Sequence, residues 1–421
     1  METVHRLVGD AVLKAQDSPV IILEGPRAVG KTTLARAQLQ EVGYSYTTLA
    51  DRSTLAFARE DVDGWLERLQ LPAIIDEAQL LPELPLAVKE KVDRLPSGNH
   101  FVLTGSSSIG RRGLGGADPL ARRVTRFVMH PLTGWELSGL QGSVAEVLSN
   151  AEIHPTVLPP LEDEQLLAAM AYGGFPDYVL QQSKMSRKRL SDRIRSDTLS
   201  VLSLSALPDM AINPTIATET LAALTRTPGG ILNASRLART LDIDKRTVGR
   251  YVGVFARLFL IHWLPNLAIR ATVQTHARAK IHPIDTSLSV EALESAGVDI
   301  EQTREVFGQL LESHVVNQIV ASTSWADEGV QCFYWRTSST PIHEVDLVLD
   351  VRGGKRVGIE VKAATRVGPS DLKGLRALRE AKGMTRGFVF YTGDQVQEVD
   401  ESIWCIPVAA LHTSGWFRTV S

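Results

Sequence analysis

A glycine-rich turn near the start of the chain carries the residue types that hold phosphate groups. Residues 25–33 read GPRAVGKTT, which fits the pattern G-x-x-x-x-G-K-[ST]. Glycines let the backbone turn tightly, so that successive N–H groups point at phosphate oxygens. Lys31 is predicted to reach the β- and γ-phosphates of a nucleotide, and the Thr32 hydroxyl to bind Mg²⁺. The predicted nucleotide-binding residues are Gly25, Pro26, Arg27, Ala28, Val29, Gly30, Lys31, Thr32 and Thr33.

Two acidic residues supply the second part of a nucleotide site. Asp76 and Glu77 follow an apolar run at 71–75, and ligands of open α/β sheets bind where strands end in this way. Asp76 is predicted to bind Mg²⁺, directly or through water. Glu77 is predicted to orient and deprotonate the attacking water. By itself this segment would be read as a strand that ends in a solvated acidic turn, but the phosphate loop upstream favours the catalytic interpretation.

Polar and basic side chains further along the chain are candidates to complete the site. Thr104 and Ser106 follow the apolar run 100–103 and are placed to sense the γ-phosphate or position water; the alternative is a plain Ser/Gly loop. Arg122 and Arg123 precede a predicted strand at 127–129. Either one is a candidate arginine finger for the nucleotide of a neighbouring subunit, in which case a monomer would be nearly inactive. The alternative is a surface helix end at which the helix dipole favours cations.

The elements that must position these residues are readable from the apolar pattern. The continuous apolar run at 20–23 predicts a strand buried on both faces. Residues 32–40 predict a helix, whose N-terminus places the positive end of its dipole at the phosphates. Together with the runs at 71–75 and 100–103, this pattern predicts an α/β fold with a P-loop NTPase parallel sheet.

Length and composition limit the classes of protein that fit. A chain of 421 residues is expected to hold two to four domains, at about 150 residues each. The net charge of −3 excludes a general polyanion binder, so any nucleic-acid surface must be a local patch. Two cysteines, Cys332 and Cys405, exclude a disulfide scaffold and a cysteine-based zinc site. With no signal-peptide pattern and no run of 18 apolar residues, the sequence predicts a cytoplasmic protein without a membrane span.

These motifs resemble the AAA-type ATPases and, more narrowly, a prokaryotic family that joins such a core to a C-terminal domain of unknown function. The resemblance covers nearly the whole chain and implies an ATPase core followed by a small helical lid. Glycine is more usual where this chain has Arg122, so which of the two arginines acts stays open. The sequence does not identify a lid arginine, and Arg193 and Arg195 are candidates only. The resemblance rests on residues 25–33, 76–79, 103–107, 120–123, 131–137, 173–176 and 280–288.

The pattern of apolar and polar residues at 230–264 predicts a helix-turn-helix. A short amphipathic helix at 233–241 is followed by a turn and a second helix at 245–255, whose apolar residues fall at helical spacing. Lys245, Arg246 and Arg250 lie on the outer face of the second helix, where a recognition helix presents cations to DNA. The alternative is a packing or oligomerisation module with a solvated charged face.

A predicted hairpin near the C-terminus brings acidic residues together. With a three-residue loop at 352–354, Asp346 lies directly across from Glu360, and the apolar residues separate from the polar ones. In this register one face is expected to hold Val345 with Leu347. The cluster of Asp346, Glu360 and Lys362 would suit a Mg²⁺ ion between the carboxylates, with Lys362 stabilising phosphate charge.

This cluster resembles the PD-(D/E)xK nuclease superfamily, in which a helical acid precedes the strand acids; Glu312 matches that position. The predicted metal-site residues of this region are therefore Glu312, Asp346, Glu360 and Lys362. The alternative is a polar sheet face with a structural ion pair.

The sequence predicts four domains: an ATPase core at 1–138, a helical lid at 139–215, a winged-helix-like domain at 216–298 and a nuclease-like domain at 299–421. The predicted function is ATP binding and hydrolysis, with ATP and Mg²⁺ as cofactors, coupled to DNA binding or processing in a homo-oligomer. One alternative is a Mg²⁺-dependent nuclease regulated by ATP. Another is an ATP-switched, partner-binding protein without nuclease activity.

Overall fold

The chain forms two compact units. The structure is a computed structural model, and it describes residues 4–109, 118–204, 212–268, 279–338 and 340–419. The first unit consists of residues 1–130 with 257–259, and the second of residues 131–256 with 260–421. Within the described ranges, no helix combines the length and the apolar character needed to cross a membrane.

The first unit is built around a parallel sheet of five strands. The strand order is β2-β3-β4-β1-β5, and every neighbouring pair is parallel. All side chains of β1, β3 and β4 are buried, as the apolar runs predict. The elements are α1 (Leu7–Lys14), β1 (Val20–Glu24), α2 (Lys31–Leu34), β2 (Ser45–Thr48), α3 (Arg52–Glu60), α4 (Val62–Glu67), β3 (Ala73–Asp76), α5 (Leu84–Val92), β4 (Phe101–Gly105) and β5 (Val124–Val128).

The helix after the phosphate loop is irregular. α2 continues as a π-helical turn over Ala35–Leu39 and a 3₁₀ turn over Gln40–Val42, and Gly43 ends it with a φ of 104°. The prediction of a helix over 32–40 is therefore confirmed.

The last strand of this sheet begins earlier than predicted. The expected strand at 127–129 is β5, which starts at Val124 and pairs with β1 from Val20↔Val124 to Glu24↔Val128. Arg126 therefore lies inside the strand. Its guanidinium is accommodated because Glu24 and Asp118 form ion pairs with it, a compensation that a run of apolar residues does not reveal.

The second unit begins with helices. It continues with a helix-turn-helix and its three-stranded sheet, and then with a mixed sheet of seven strands. Its helices are α6 (Gly134–Leu137), α7 (Val144–Asn150), α8 (Asp163–Tyr172), α9 (Pro176–Val179), α10 (Arg187–Leu204), α11 (Pro214–Thr225), α12 (Ala234–Thr240), α13 (Lys245–Arg257), α14 (Thr286–Ser295), α15 (Arg304–Thr323) and α16 (Lys373–Lys382). Its strands are β6 (Glu152–Ile153), β7 (Thr156–Val157), β8 (Gly230–Ile231), β9 (Ile261–Leu264), β10 (Lys280–Pro283), β11 (Val330–Arg336), β12 (Glu344–Val351), β13 (Lys355–Lys362), β14 (Arg386–Tyr391), β15 (Gln395–Asp400), β16 (Ile403–Pro407) and β17 (Phe417–Arg418).

Helices α12 and α13 form the predicted helix-turn-helix. Asn233 caps α12 by accepting from the Arg236 N–H, and Asp242 makes the turn with a φ of 51°. The Asp244 carboxylate accepts from the Arg246 N–H at 2.6 Å at the start of α13. An antiparallel sheet of order β8-β10-β9 accompanies the two helices. The apolar residues predicted for the inner face of α13 are all buried: Val248, Tyr251, Val252 and Phe255.

A mixed sheet of seven strands forms the C-terminal part, in the order β11-β12-β13-β14-β16-β15-β7. The β12–β13 hairpin runs from Val351↔Lys355 to Leu347↔Ile359. This confirms the three-residue loop, and the ladder ends one residue short of Asp346 and Glu360.

The prediction that Val345 and Leu347 share one face of β12 was wrong. Phe333 pairs with Val348 and Trp335 pairs with Val345, so the single residue between them in β11 opposes two residues of β12, Asp346 and Leu347. The extra residue is a β-bulge. It turns Val345 into the core formed with Trp335 and α16, whereas Leu347 stays in the core formed with α15. The face that was expected to be polar is thus covered as well.

A glycine pair of the second unit, Gly173 and Gly174, lies against the buried carboxylate of Asp285. Asp285 caps α14 by accepting from the Ser287 N–H at 2.9 Å, and it also accepts from the Gly174 N–H at 2.7 Å. Gly173 has a φ of 61°, and a Cβ there would lie 1.8 Å from Asp285 Oδ1. The backbone of α8 therefore ends against the cap of α14 only if residue 173 has no side chain.

We expect Gly173→Ala to destabilise the second unit by at least about 3 kcal/mol, because backbone strain and a steric clash add together. Gly297→Ala is the matched control, since Gly297 also has a positive φ of 75° but nothing within 4 Å of the added Cβ. That control is expected to cost about 1 kcal/mol. Urea unfolding followed by circular dichroism measures both, and equal losses would contradict the role given to Asp285.

Candidate functional site

The phosphate loop connects the buried end of β1 to the first turn of α2. Gly30 precedes the helix with a φ of 99°, in the left-handed region that favours glycine. Gly25 is needed for a different reason, because a Cβ there would lie 2.3 Å from the Met129 carbonyl oxygen. The two glycines of the motif thus have separate causes, one conformational and one steric.

Lys31 is buried in the loop, with 6% of its surface exposed. Its ammonium donates to the carbonyl oxygens of Gly25 at 3.0 Å and Pro26 at 2.7 Å. Burial lowers the pKa of Lys31 to about 8, and the carboxylates of Glu77 and Asp76 oppose that shift. A buried ammonium held mainly by neutral carbonyls is a strong site for an added anion such as a triphosphate.

Asp76 joins three hydroxyl groups at the end of β3. Its carboxylate accepts from Thr32 Oγ1 at 2.8 Å, from the Tyr46 hydroxyl at 2.8 Å and from Thr104 Oγ1. The structure therefore brings together Thr32, Asp76 and Thr104; Thr104 faces Asp76 and is fully buried, and its role toward the γ-phosphate stays a prediction. Thr32 and Asp76 offer hard oxygen ligands side by side, so the pair fits a magnesium ion.

Glu77 is held in place by two polar neighbours. It adopts a left-handed backbone conformation with a φ of 56°. Its Oε2 accepts from the Gln79 side-chain amide and from Ser106 Oγ at 3.3 Å, and Gln79 also donates to Ser106 at 3.2 Å. The structure thus places Ser106 beside the predicted base. Gln79 was missed, although it belongs to the segment 76–79 that carries the family resemblance.

Two further arginines brace the nucleotide site, and neither was predicted. Arg6 Nη1 donates to the Val29 carbonyl in the phosphate loop at 2.8 Å. Arg126 Nη1 donates to Glu24 at 2.9 Å, and the same carboxylate oxygen accepts from the Ile109 N–H at 2.7 Å. Only a basic residue within an apolar strand pattern signals Arg126 in the sequence.

The two arginines predicted as fingers, Arg122 and Arg123, lie at the opposite end of the strands from the phosphate loop. They precede β5, whose first residue pairs with Val20, whereas the loop follows Glu24. Four strand residues separate the two ends of β1 by about 13 Å, and the role of either arginine toward a nucleotide stays a prediction. Arg123 pairs with Asp93, donating from Nη2 at 3.1 Å. Arg122 is exposed, with a φ of 68°, and forms no ion pair among the described residues.

That φ explains why glycine suits position 122, since glycine adopts left-handed conformations without strain. The two lid candidates are engaged elsewhere in the second unit. Arg193 donates to Asp177 at 2.8 Å, and Arg195 to Glu291 at 3.0 Å.

The helix-turn-helix presents a group of cations. Lys245, Arg246 and Arg250 of α13 are exposed, as are two arginines of α12, Arg236 and Arg239. Asp242 and Asp244 are the two acids between the helices, so this short segment has a local excess of positive charge. Arg250 lies over the Tyr251 ring at 5.4 Å.

The predicted nuclease-like cluster is assembled, but around a lysine that the sequence did not single out. Lys280 of β10 contacts Glu312 at 2.9 Å, Glu344 at 2.8 Å and Asp346 at 2.9 Å. Burial opposes its charge, but the three carboxylates raise the pKa of Lys280 well above its ordinary value. Lys362 pairs separately with Glu360 at 2.9 Å.

The strands of the hairpin separate at this cluster. Asp346 Oδ2 accepts from the Val361 N–H at 3.0 Å, where the β12–β13 ladder has already ended. Burial and the neighbouring Asp346 raise the pKa of Glu360 well above its usual range. Burial also disfavours the Asp346 anion, but Lys280 and Lys362 hold the pKa of Asp346 at about 2.

The sequence predicted Mg²⁺ between Asp346 and Glu360, and that assignment stays a prediction. Among the described residues, no group of three or more His, Cys, Asp or Glu side chains is arranged to hold a metal ion. The cations of this cluster are the ammonium groups of Lys280 and Lys362 and the guanidinium of Arg336, which pairs with Glu344. Sequence reasoning treated the hairpin in isolation and could not include a lysine that arrives from β10.

Comparisons with known proteins match the first unit to an AAA domain and match the second unit only to domains of unknown function. Residues 17–138 match an AAA domain, residues 163–319 match a domain of unknown function (DUF8612), and residues 307–411 match a domain of unknown function (DUF4143). Two mycobacterial proteins, "Uncharacterized protein Rv2008c" of Mycobacterium tuberculosis and "Uncharacterized protein Mb2031c" of Mycobacterium bovis, are each 26% identical over 410 residues. These alignments cover 94% of this chain and 82% of each relative.

Solved structures with detectable similarity include the Walker-type ATPase PABY2304 of Pyrococcus abyssi. It is 15% identical with a TM-score of 0.40, and the alignment covers 69% of this chain and 96% of that one. The RuvB Holliday junction branch migration motor of Thermotoga maritima is 17% identical with a TM-score of 0.28, covering 70% and 92%. The AAA-domain match, together with the loop geometry, supports an AAA-type ATP-binding domain in the N-terminal third.

Proposed function

We propose that the chain hydrolyses ATP at the phosphate loop and that the nucleotide state controls nucleic-acid binding by α12 and α13. The observation that carries the hydrolysis is the arrangement at the ends of β3 and β4. Asp76 is tied to Thr32, and the next residue, Glu77, is held by Gln79 and Ser106. Asp76 is bonded to the phosphate loop, whereas Glu77 is held by two separate donors. The two carboxylates can therefore have different tasks, metal binding for Asp76 and water activation for Glu77.

Each residue has a distinct task in this proposal. The N–H groups of the loop and the Lys31 ammonium bind the triphosphate. Thr32 and Asp76 hold Mg²⁺, which bridges phosphate oxygens and neutralises their charge. Glu77 orients the attacking water and accepts its proton, while Gln79 and Ser106 keep the carboxylate oriented.

Hydrolysis in this proposal takes place in a homo-oligomer. Arg122 is exposed and lies about 13 Å from the edge that holds the nucleotide of its own chain. An arginine so placed reaches a phosphate only in a neighbouring copy. We therefore assign the finger to Arg122 and a supporting pair with Asp93 to Arg123.

Nucleic-acid binding rests on the exposed cations of the helix-turn-helix, which we interpret as part of a winged-helix module. A second helix with a buried apolar face and cations on its outer face has the form of a recognition helix. Phosphate contacts from such cations release counterions, so the affinity for DNA depends on salt.

The DNA proposal makes a measurable prediction. Replacing Lys245, Arg246 and Arg250 together by alanine is expected to reduce the slope of log K against log salt by about 3, at roughly 0.9 per phosphate contact. Lys355→Ala is the control, because Lys355 is an exposed cation at the far end of the β12–β13 hairpin. Fluorescence anisotropy of a labelled duplex at several salt concentrations measures the slope. An unchanged slope in the triple variant would refute the assignment.

The nuclease alternative receives no support beyond the hairpin register, because lysines neutralise the carboxylates that a metal would need. We therefore interpret the C-terminal domain as a binding module that does not cleave nucleic acid. The remaining alternative, an ATP-switched protein that does not hydrolyse ATP, predicts negligible phosphate release at every protein concentration.

A further inference from the structure

The cluster around Lys280 joins two modules of the second unit. Lys280 comes from β10, in the sheet that accompanies the helix-turn-helix. Its three carboxylate partners come from α15 and β12, in the C-terminal domain. These partners lie 32 to 66 residues away along the chain, so the cluster is a long-range connection and not a local turn.

The lysine is fully coordinated by these partners. An ammonium group has three N–H donors, and Nζ lies within 2.9 Å of one oxygen from each of Glu312, Glu344 and Asp346. Only 3% of the lysine side chain is exposed. The Tyr334 ring, 6.0 Å from Nζ, covers another side. Every donor of the ammonium is therefore used within the protein.

A divalent cation would need the same oxygens. Carboxylates are the preferred ligands of Mg²⁺ and Mn²⁺, and the only carboxylate of the predicted metal site outside this group, Glu360, is paired with Lys362. An entering metal ion would have to displace Lys280 and leave a buried ammonium without its partners, which is strongly unfavourable. The lysine, being tethered, holds the position at a high effective concentration.

We propose that Lys280 is a built-in cation that closes this carboxylate cluster to divalent metal ions. By occupying the cluster, β10 also fastens the helix-turn-helix sheet to the C-terminal domain without any need for metal. The proposal does not depend on ATP hydrolysis or on DNA binding. It predicts that removing the ammonium converts Glu312, Glu344 and Asp346 into a divalent-cation site.

The test compares Mn²⁺ binding to the full chain without nucleotide, by electron paramagnetic resonance of free Mn²⁺. An Asp76→Asn background removes the carboxylate of the nucleotide site. We expect Lys280→Met to bind about one additional Mn²⁺ per chain, at least tenfold more tightly than the parent. Adding Asp346→Asn to Lys280→Met is expected to abolish that gain. A folded Lys280→Met protein that gains no Mn²⁺ site would overturn the proposal.

A second arm does not depend on the folding of the lysine variant. With Lys280 present, Asp346→Asn is expected to leave Mn²⁺ binding unchanged, because the cluster is closed in the parent. If the parent binds Mn²⁺ and Asp346→Asn removes that binding, the cluster is open and the proposal is wrong. Lys280→Gln, which keeps a polar side chain of similar length, repeats the first arm with a smaller loss of packing.

Discussion

Replacing Glu77 by glutamine is expected to leave ATP bound and to lower the rate of hydrolysis by about 10²–10⁴-fold, the usual contribution of a general base. The amide keeps the shape of the side chain and its contacts with Gln79 and Ser106, but it cannot accept the proton of the attacking water. Asp76 and Thr32, which hold the metal in this proposal, are untouched. The expected signature is therefore a fall in kcat without a matching loss of nucleotide affinity.

Phosphate release at saturating ATP and equilibrium binding of a fluorescent ATP analogue measure the two quantities. Glu83→Gln is the matched control, because Glu83 is an exposed acid a few residues further along the same segment. The control is expected to keep full turnover. Wild-type turnover in Glu77→Gln would show that another group activates the water, and a loss of binding alone would make Glu77 a ligand rather than a base.

Removing the Arg122 side chain is expected to reduce ATP turnover by about 10³–10⁵-fold, the range known for arginine fingers. Arg122→Gly is the suitable change, because glycine accepts the φ of 68° at this position without strain. The folded monomer should be at least as stable as the wild type. Arg123→Ala is the matched control, and its loss of the partly exposed pair with Asp93 is expected to change turnover only slightly.

A mixing experiment separates an arginine that acts across subunits from one that acts within its own chain. Arg122→Gly and Glu77→Gln are each nearly inactive alone. In mixed oligomers, a subunit that retains Glu77 receives Arg122 from a Glu77→Gln neighbour, so part of the activity returns. Wild-type turnover of Arg122→Gly alone would exclude the finger, and no recovery at any mixing ratio would exclude its action across subunits.

Much of the fold could be predicted because its causes are local. Apolar runs identify β1, β3 and β4, since strands of a parallel sheet are buried on both faces. Glycine positions identify the phosphate loop. The β12–β13 register follows from alternation, because a shift by one residue would move every apolar side chain of the hairpin to the opposite face. Helices α12 and α13 follow from helical periodicity.

What the sequence could not show depends on distant contacts. Arg126 looked like part of a basic stretch before a strand, whereas Glu24, 102 residues away, lets it lie inside one. The bulge that turns Val345 depends on pairing with β11. Lys280 of β10 and Asp346 of β12 are 66 residues apart along the chain and come from two different modules. Each of these features changes the interpretation of a charged residue, and none leaves a periodic signal.

The direct test of the account is whether nucleotide state changes the affinity for DNA. Anisotropy of a labelled duplex should be titrated with Glu77→Gln protein in Mg²⁺, with either ATP or ADP. We expect the dissociation constants for DNA in ATP and in ADP to differ by about tenfold, within the range typical of coupled sites. We expect no difference when Lys31 is also replaced by alanine. Equal affinities for DNA in ATP and in ADP would contradict the proposed coupling.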